Sequence, residues 1–381
     1  MIILKDGKRG VFLMKQLGAA GWLKQSITKS CGLLLYMFHK NHNFNAFMVG
    51  YNSPETHQEL IDYANEWIPG VQMDFLEKDD MPSRINWMQQ HAEDIDVMYV
   101  YGAWNTYIPI VAAYKKIRPD GKIFSDTDMN IAWADRINFF DDLDYRWFLN
   151  EIDVIGAGCR ATQKYLSTKW HVPVNLIRNP FYNFANVTFE NLFERKENII
   201  LTVGRLGTDQ KQNHIMMEGF AKVADKLPDW KMRLVGSIQE SFKPYMKNYF
   251  ERFPQLTDRV IFVGEIYDRA KLMEEYKRAK IFILTSNMEG GTPNVTGEAL
   301  WCGDFIITSN FDSKDDMTDY GKCGKDFPIG DIDALSKLFL EVCNDENLLL
   351  QGGRHAYEYA REQFDANHVV ARLNYLLYGG E

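Results

Sequence analysis

Two stretches of this sequence hold residues whose types and spacing could do chemistry. The first is Val203-Gly204-Arg205-Leu206, with Lys211 close behind. An apolar run ends in glycine, and two cations lie six residues apart just beyond it. Glycine lets another group come close to the backbone. An arginine fork and a lysine point charge together could hold a diphosphate, although an ordinary solvated loop would also carry such residues. The second stretch is Thr285-Ser286-Asn287-Met288-Glu289-Gly290-Gly291-Thr292-Pro293-Asn294-Val295-Thr296-Gly297-Glu298. It reads as a strand end, a glycine-rich loop and a helix opening near Pro293-Asn294, where proline costs no hydrogen bond. The free N–H groups and positive dipole end of such a helix form a ready anion site. Glu298, about one turn into the helix, could accept hydrogen bonds from a ribose diol, and Glu289, before the loop, could hold sugar hydroxyls. Both glutamates would also be at home as ordinary loop and helix-terminus residues.

These residues need rigid elements to position them. Apolar runs alternate with helical patterns along most of the chain, the mark of parallel sheets covered by helices. Val11–Met14, Ala46–Gly50, Val97–Tyr101, Lys122–Ser125 and Val154–Gly156 read as strands, with helices over about 22–39 and through Val111–Tyr114. The rhythm breaks near Ile177-Arg178-Asn179-Pro180, and the residues to about Asn198 read as a linker. It restarts with strands at Ile199–Val203, Lys231–Val235, Val260–Val263, Ile281–Leu284 and Phe305–Thr308. Helices fall at Asn213–Leu227, Ala270–Arg278 and Val295–Cys302, and the stretch Ala334–Tyr378 is helical throughout. The expected fold class is α/β: two doubly wound Rossmann-like domains facing across a cleft, spanning 1–183 and 184–365, with a helix over 366–381. Such sheets bind ligands outside the carboxyl ends of their strands.

Bulk properties narrow the function. A length of 381 residues fits two domains. Hydrophobic content of 46% with 25% charged residues is that of a globular protein. No apolar run approaches the roughly 18–20 residues of a membrane span, and residues 1–6 lack the features of a signal peptide. The cysteines Cys31, Cys159, Cys302, Cys323 and Cys343 form no CxxC pair, which points to neither a zinc site nor a disulfide framework and fits a cytoplasmic location. A net charge of -9 argues against nucleic acid as a partner. The first fifty residues run the other way, with Lys5, Lys8, Arg9, Lys15, Lys24, Lys29 and Lys40 against the single acid Asp6. That edge could touch an anionic membrane at its inner face or a lipid-linked acceptor, or be a solvated face.

The second half resembles the retaining family 4 glycosyltransferases (the GT-B, group 1 type). The residues that carry the likeness are Gly204-Arg205-Leu206, Lys211, Glu218-Gly219-Phe220, Gly236, Phe262-Val263-Gly264, Ser286, Glu289-Gly290, Pro293-Asn294-Val295, Glu298-Ala299-Leu300 and Gly303, in family order over about 199–345. The resemblance implies a hexose-type transferase using a nucleotide diphosphate sugar, UDP-linked by default, and a saccharide or lipid-linked acceptor in surface polysaccharide or glycoconjugate synthesis. It implies that Arg205 and Lys211 hold the diphosphate, aided by the backbone N–H groups that the segment Gly291-Thr292-Pro293-Asn294, its proline excepted, and the helix start offer. Glu298 would take the ribose and Glu289 the donor sugar. Preorganised cations and a helix N-terminus would stabilise the leaving diphosphate, so no metal or other cofactor is expected. One departure stands out: eight residues separate Glu289 and Glu298 where the family has seven, and Gly290-Gly291 could absorb the extra one.

The first half matches less well. Gly18-Ala19-Ala20-Gly21 occupies the place of the family's first glycine loop, with Gly18 and Gly21 near the donor. Where relatives often carry a histidine, this chain has Phe124-Ser125-Asp126-Thr127-Asp128. Asp126, favoured over Asp128, could take the polar catalytic role by stabilising positive charge on the sugar, or could cap the next element. Asp126-Thr127-Asp128 also spells the metal-binding DxD of the other large glycosyltransferase fold, which would leave the second-half motifs unexplained. Trp104, Trp133, Phe139 and Phe140 could stack on sugars or pack in the core. A non-catalytic partner subunit of the same fold is the main rival, and it would be expected to lose Arg205, Lys211, Glu289 and Glu298.

Overall fold

A computed structural model describes residues 26–138 and 141–379, together with the backbone of 9–13. The chain divides into two compact units. One comprises the residues up to Tyr182 and those from Asp365 onward, the other Asn183–Phe364.

The first unit is built on a seven-stranded sheet in the order β3-β2-β1-β4-β5-β6-β7. Its strands are β1 (Arg9–Leu13), β2 (Asn45–Gly50), β3 (Gln72–Phe75), β4 (Val97–Tyr101), β5 (Lys122–Thr127), β6 (Val154–Ala157) and β7 (Val174–Leu176). The second unit carries a six-stranded sheet in the order β10-β9-β8-β11-β12-β13. These are β8 (Glu197–Val203), β9 (Lys231–Val235), β10 (Val260–Gly264), β11 (Ala279–Leu284), β12 (Phe305–Ser309) and β13 (Gly324–Phe327). Every described pairing is parallel. Each sheet starts at its middle, winds to one edge, then returns to wind to the other. Both units are therefore doubly wound and Rossmann-like, with a reversal of strand order between β1 and β4 and again between β8 and β11.

Burial explains which segments became strands. Ile281, Phe282 and Ile283 on β11 and Phe305, Ile306 and Ile307 on β12 are fully buried, as expected of central parallel strands covered on both faces. Three strands were not expected from the sequence: β3 (Gln-Met-Asp-Phe), β7 (Val-Asn-Leu) and β13 (Gly-Lys-Asp-Phe). All three lie at sheet edges, where solvent covers part of the strand and no apolar run is needed.

The helices cover the sheets through apolar stripes. Ile332–Cys343 buries Leu335, Leu338, Phe339 and Val342, a helical repeat along one face, and starts where Asp331 accepts from the Ala334 N–H at 2.9 Å. The expected continuous helical stretch after Ala334 is three helices, Ile332–Cys343, Glu346–Gln363 and Ala366–Tyr378. The last belongs to the first unit: the Ala366 N–H donates to the Phe181 carbonyl at 3.0 Å, and Asn41 Nδ2 to Asn367 Oδ1 at 2.9 Å. No helix among the described residues is long and apolar enough to cross a membrane.

Candidate active site

In the second unit the order reversal brings the carboxyl ends of β8 and β11 side by side. Gly204-Arg205 leaves β8, and Thr285-Ser286 leaves β11. Chain segments 80 residues apart in sequence thus meet at the position where open α/β sheets bind ligands. A small cavity opens there, lined by Gly204, Arg205, Lys211, Asn213 and Thr285 among others.

Glycines let the strand ends close up. The Gly204 N–H donates to Val235 O and the Gly236 N–H to Gly264 O, each at 2.9 Å. Gly236 has φ +138°, and a Cβ there would sit 1.9 Å from the Gly204 carbonyl oxygen. Only glycine fits. Gly264, expected among the donor contacts, ends β10, two strands away from β8.

The loop after β8 folds onto the loop after β11 through a set of hydrogen bonds. Asn213 Oδ1 accepts from the Gly207 N–H at 2.8 Å and closes the first loop. Thr285 Oγ1 donates to the Lys211 carbonyl at 2.9 Å, and the Asn287 N–H donates to the Gln210 carbonyl at 2.9 Å. These bonds bring Arg205, Lys211 and Glu289 together. Lys211 Nζ forms a close ion pair with Glu289 Oε1, the side chains being 14% and 8% exposed. The same carboxylate accepts from Ser286 Oγ at 2.5 Å and from Gln210 Nε2 at 3.2 Å. An ammonium carries three N–H donors, so Lys211 keeps two beyond the one that Glu289 takes. Arg205 is exposed and bonded to Gln210 Oε1 at 2.9 Å, leaving most of its guanidinium donors for a ligand.

Gly290, Gly291 and Thr292 connect this corner to the helix Asn294–Trp301. Gly291 takes φ +76°. Pro293 stands at the N-cap rather than within the first turn, and no side chain caps the helix. Its opening N–H groups, beginning with Asn294 and Val295, thus lack the side-chain acceptor that usually satisfies them. Glu298 is 8% exposed and belongs to a separate network. Its Oε1 accepts from Arg269 Nη2 at 2.6 Å and its Oε2 from Tyr276 OH at 2.7 Å. Burial, with Glu298 alongside, holds the Tyr276 phenol well above its ordinary range, so it stays a donor. Each carboxylate oxygen retains a second lone pair for a ligand hydroxyl.

In the first unit, Gly18 and Gly21 lie outside the described residues, as do Phe139 and Phe140. Asp126 lies within β5, only 3% exposed, and accepts from Tyr99 OH on β4 at 3.0 Å rather than capping an element. Burial, reinforced by neighbouring Asp128, pushes its carboxyl up to about 7 despite the Tyr99 hydrogen bond. Asp128 is half-buried and accepts from Tyr101 OH. Of the aromatics, Trp133 is 47% exposed. It meets Trp104 edge to face at 6.5 Å between centroids, and the Arg136 guanidinium lies 4.9 Å over its ring.

Sequence reasoning missed Gln210, Arg269 and Tyr276. Each is an ordinary residue for its element, and only strand order shows that it touches a site carboxylate.

Residues 183–363 match the family model described as glycosyl transferases group 1. No curated protein matches the chain in sequence. Among solved structures it is similar to Alr3699/HepE of Anabaena in complex with UDP, with a TM-score of 0.72 and 16% identity over 96% of this chain and 98% of that one. It is also similar to a glycosyltransferase from Rickettsia africae, with a TM-score of 0.71 and 14% identity over 98% and 100% of the two chains. A third is the lipopolysaccharide outer core galactosyltransferase WaaB, with a TM-score of 0.66 and 16% identity over 97% and 99%. At these identities the likeness establishes the fold, which is that of the GT-B glycosyltransferases.

Proposed function

We propose that this chain, whose residues 183–363 match the glycosyl transferases group 1 model, is a retaining hexosyltransferase. It takes its sugar from a nucleotide diphosphate sugar, UDP-linked in the first instance. The observation that carries this reading is the gathering of Arg205, Lys211 and Glu289 where the strand order reverses. Breaking the sugar–phosphate bond builds negative charge on the departing diphosphate. Arg205, the two remaining Lys211 donors and the opening N–H groups of the helix Asn294–Trp301 stabilise that charge without moving, and so cost little reorganisation. No metal is needed for that task. Glu289 holds the sugar hydroxyls, and Glu298, fixed by Arg269 and Tyr276, takes the ribose. On the retaining path the departing phosphate itself accepts the acceptor's proton.

The first unit supplies the acceptor side. Asp126 acts there with Asp128, whose carboxylate stands nearer the surface. The exposed Trp133, with Arg136 over it, supports a saccharide acceptor, free or lipid-linked, because an indole face packs against the C–H face of a sugar ring. Alr3699/HepE has been seen with UDP and with UDP-glucose, and WaaB is a lipopolysaccharide galactosyltransferase. Such donors and acceptors fit a role in surface polysaccharide or glycoconjugate synthesis, and the basic balance of residues 1–50 supports work at the inner membrane face.

The test is a thermal-shift screen of UDP, GDP, ADP and their sugars, first in EDTA and then with Mg²⁺. A ligand at a hundredfold excess over its Kd stabilises the folded state by about 2.7 kcal/mol through mass action, and so raises the melting temperature. A rise in EDTA with one nucleotide family supports the metal-free donor site and names its base. No rise with any of them would sink the donor reading, and a rise only with Mg²⁺ would move attention to Asp126-Thr127-Asp128.

A further inference from the structure

Gln210 stands between the cation and the carboxylate of the donor corner, half-buried, and its carboxamide makes three hydrogen bonds. Oε1 accepts from Arg205 Nη2 at 2.9 Å, while Nε2 donates to Glu289 Oε2 at 3.2 Å and to the Met288 carbonyl at 3.1 Å. Both of its N–H donors are thereby used. The partners fix the orientation of the amide. Turned over, it would set an NH2 group against a guanidinium and an oxygen against a carboxylate.

Two details give this link a consequence. Arg205 and Glu289 share no direct hydrogen bond or ion pair among the described residues, so Gln210 is what connects them. Lys211 and Ser286 both bond Glu289 through Oε1, and Gln210 bonds Oε2. A carboxylate pinned by one oxygen can still swing the other. The backbone of Gln210 is tied to the same loop, where its carbonyl accepts from the Asn287 N–H at 2.9 Å, so the side chain has a fixed base.

We propose that Gln210 is a positioning residue that couples the diphosphate-binding Arg205 to Glu289, aiming the Glu289 carboxylate at the donor sugar when the diphosphate is in place. The inference rests on the donor-site reading above. It separates two parts of donor recognition: Arg205 and Lys211 grip the diphosphate with or without Gln210, whereas the sugar is oriented only with it.

The experiment compares the wild type with Gln210→Leu, which keeps the bulk and removes every side-chain hydrogen bond. The probes are UDP and the UDP-sugar that shifts the wild type most. Calorimetric titration of Q210L should give UDP affinity within about threefold of wild type and lose most of the extra affinity for the UDP-sugar. The rate of UDP release from that UDP-sugar should fall about 10–100-fold in kcat, with donor KM rising only as far as the UDP-sugar affinity falls. A double variant with Glu289→Gln should be no slower than Glu289→Gln alone, because a residue acting through another adds nothing once that other is gone. Equal losses for UDP and UDP-sugar, an unchanged kcat, or additive effects in the double variant would each overturn the proposal. If Q210L does not fold, Gln210→Glu keeps the acceptor facing Arg205 and loses the donors facing Glu289. It should show the same sugar-selective loss, and wild-type behaviour in Q210E would overturn the proposal equally. Wild-type protein that binds no nucleotide diphosphate sugar would fail before any variant was made, removing the donor-site reading and this inference with it.

Discussion

Replacing Lys211 by methionine separates two tasks that the site gives one ammonium. In the unliganded protein Lys211 neutralises Glu289, whose side chain is 8% exposed, while its own is 14% exposed. Removing one partner of a buried ion pair typically costs about 3–5 kcal/mol, because a charge is left without its counterion. Here Ser286 and Gln210 still donate to the carboxylate, and the 14% opening admits water. We therefore expect the lower part of that range or less, about 2–3 kcal/mol. In a unit of this size each kcal/mol moves Tm by about 2–4 °C, so Lys211→Met should melt about 5–10 °C below wild type. The second task is the diphosphate. Losing one charge-assisted hydrogen bond, at about 1.5–3 kcal/mol, should weaken UDP about 10–150-fold.

Adding Glu289→Gln to Lys211→Met tells the two tasks apart. The orphaned charge disappears, so the double variant should recover most of the lost Tm. The phosphate still lacks its cation, so UDP affinity should stay low. Scanning calorimetry gives the first quantity and titration calorimetry the second. A double variant that recovered wild-type UDP affinity would show that Lys211 serves only to hold Glu289, and would refute its placement at the diphosphate.

Three further changes test other parts of the structure. Glu298→Gln removes the charge that Arg269 and Tyr276 hold; it should cost about 1–3 kcal/mol of stability and raise donor KM, and an unaltered donor KM would contradict the ribose role. For Asp126, the folded carboxyl is raised to about 7 against about 3.9 unfolded. The folded state thus holds the proton to higher pH, and stability should decline as pH rises from about 4 to about 7, by up to about 4 kcal/mol. Asp126→Asn keeps an acceptor for Tyr99 and should remove that share of the decline, leaving the share of Asp304, whose carboxyl burial also raises to about 7; it should stand at or above wild-type Tm at pH 8 while lowering turnover more than donor binding, and an unchanged pH slope in Tm would exclude Asp126 as a source. Gly236→Ala drives a Cβ to 1.9 Å from the Gly204 carbonyl oxygen at φ +138° and should cost about 2–4 kcal/mol, read from urea unfolding.

What could be read from the sequence followed burial. The interior strands announce themselves as Val, Ile, Leu and Phe runs because both faces are covered, as β11 and β12 show. The edge strands β3, β7 and β13 do not, since Asp74, Asn175 and Lys325 can face water there without cost. Residue type likewise exposed the chemistry-bearing side chains, because a glycine at a strand end followed by cations, and a glycine loop between glutamates, are unusual patterns. Type says nothing of partnership. Lys211 and Glu289 lie 78 residues apart, and nothing in either stretch points to the other. They meet because the order 10-9-8-11-12-13 makes β8 and β11 neighbours at the point of reversal. The first sheet teaches the same thing by register. Tyr101 stands opposite Asp126, and alternate residues of a strand share a face, so Tyr99 and Tyr101 line up with Asp126 and Asp128 as two staggered phenol–carboxyl pairs. That register turned Asp126 from a strand-end acid open to a ligand into a buried one, with Asp128 as its outward neighbour. In a doubly wound protein the residues at strand ends can be found from composition, but which of them act together is decided by strand order, which a single sequence carries only indirectly.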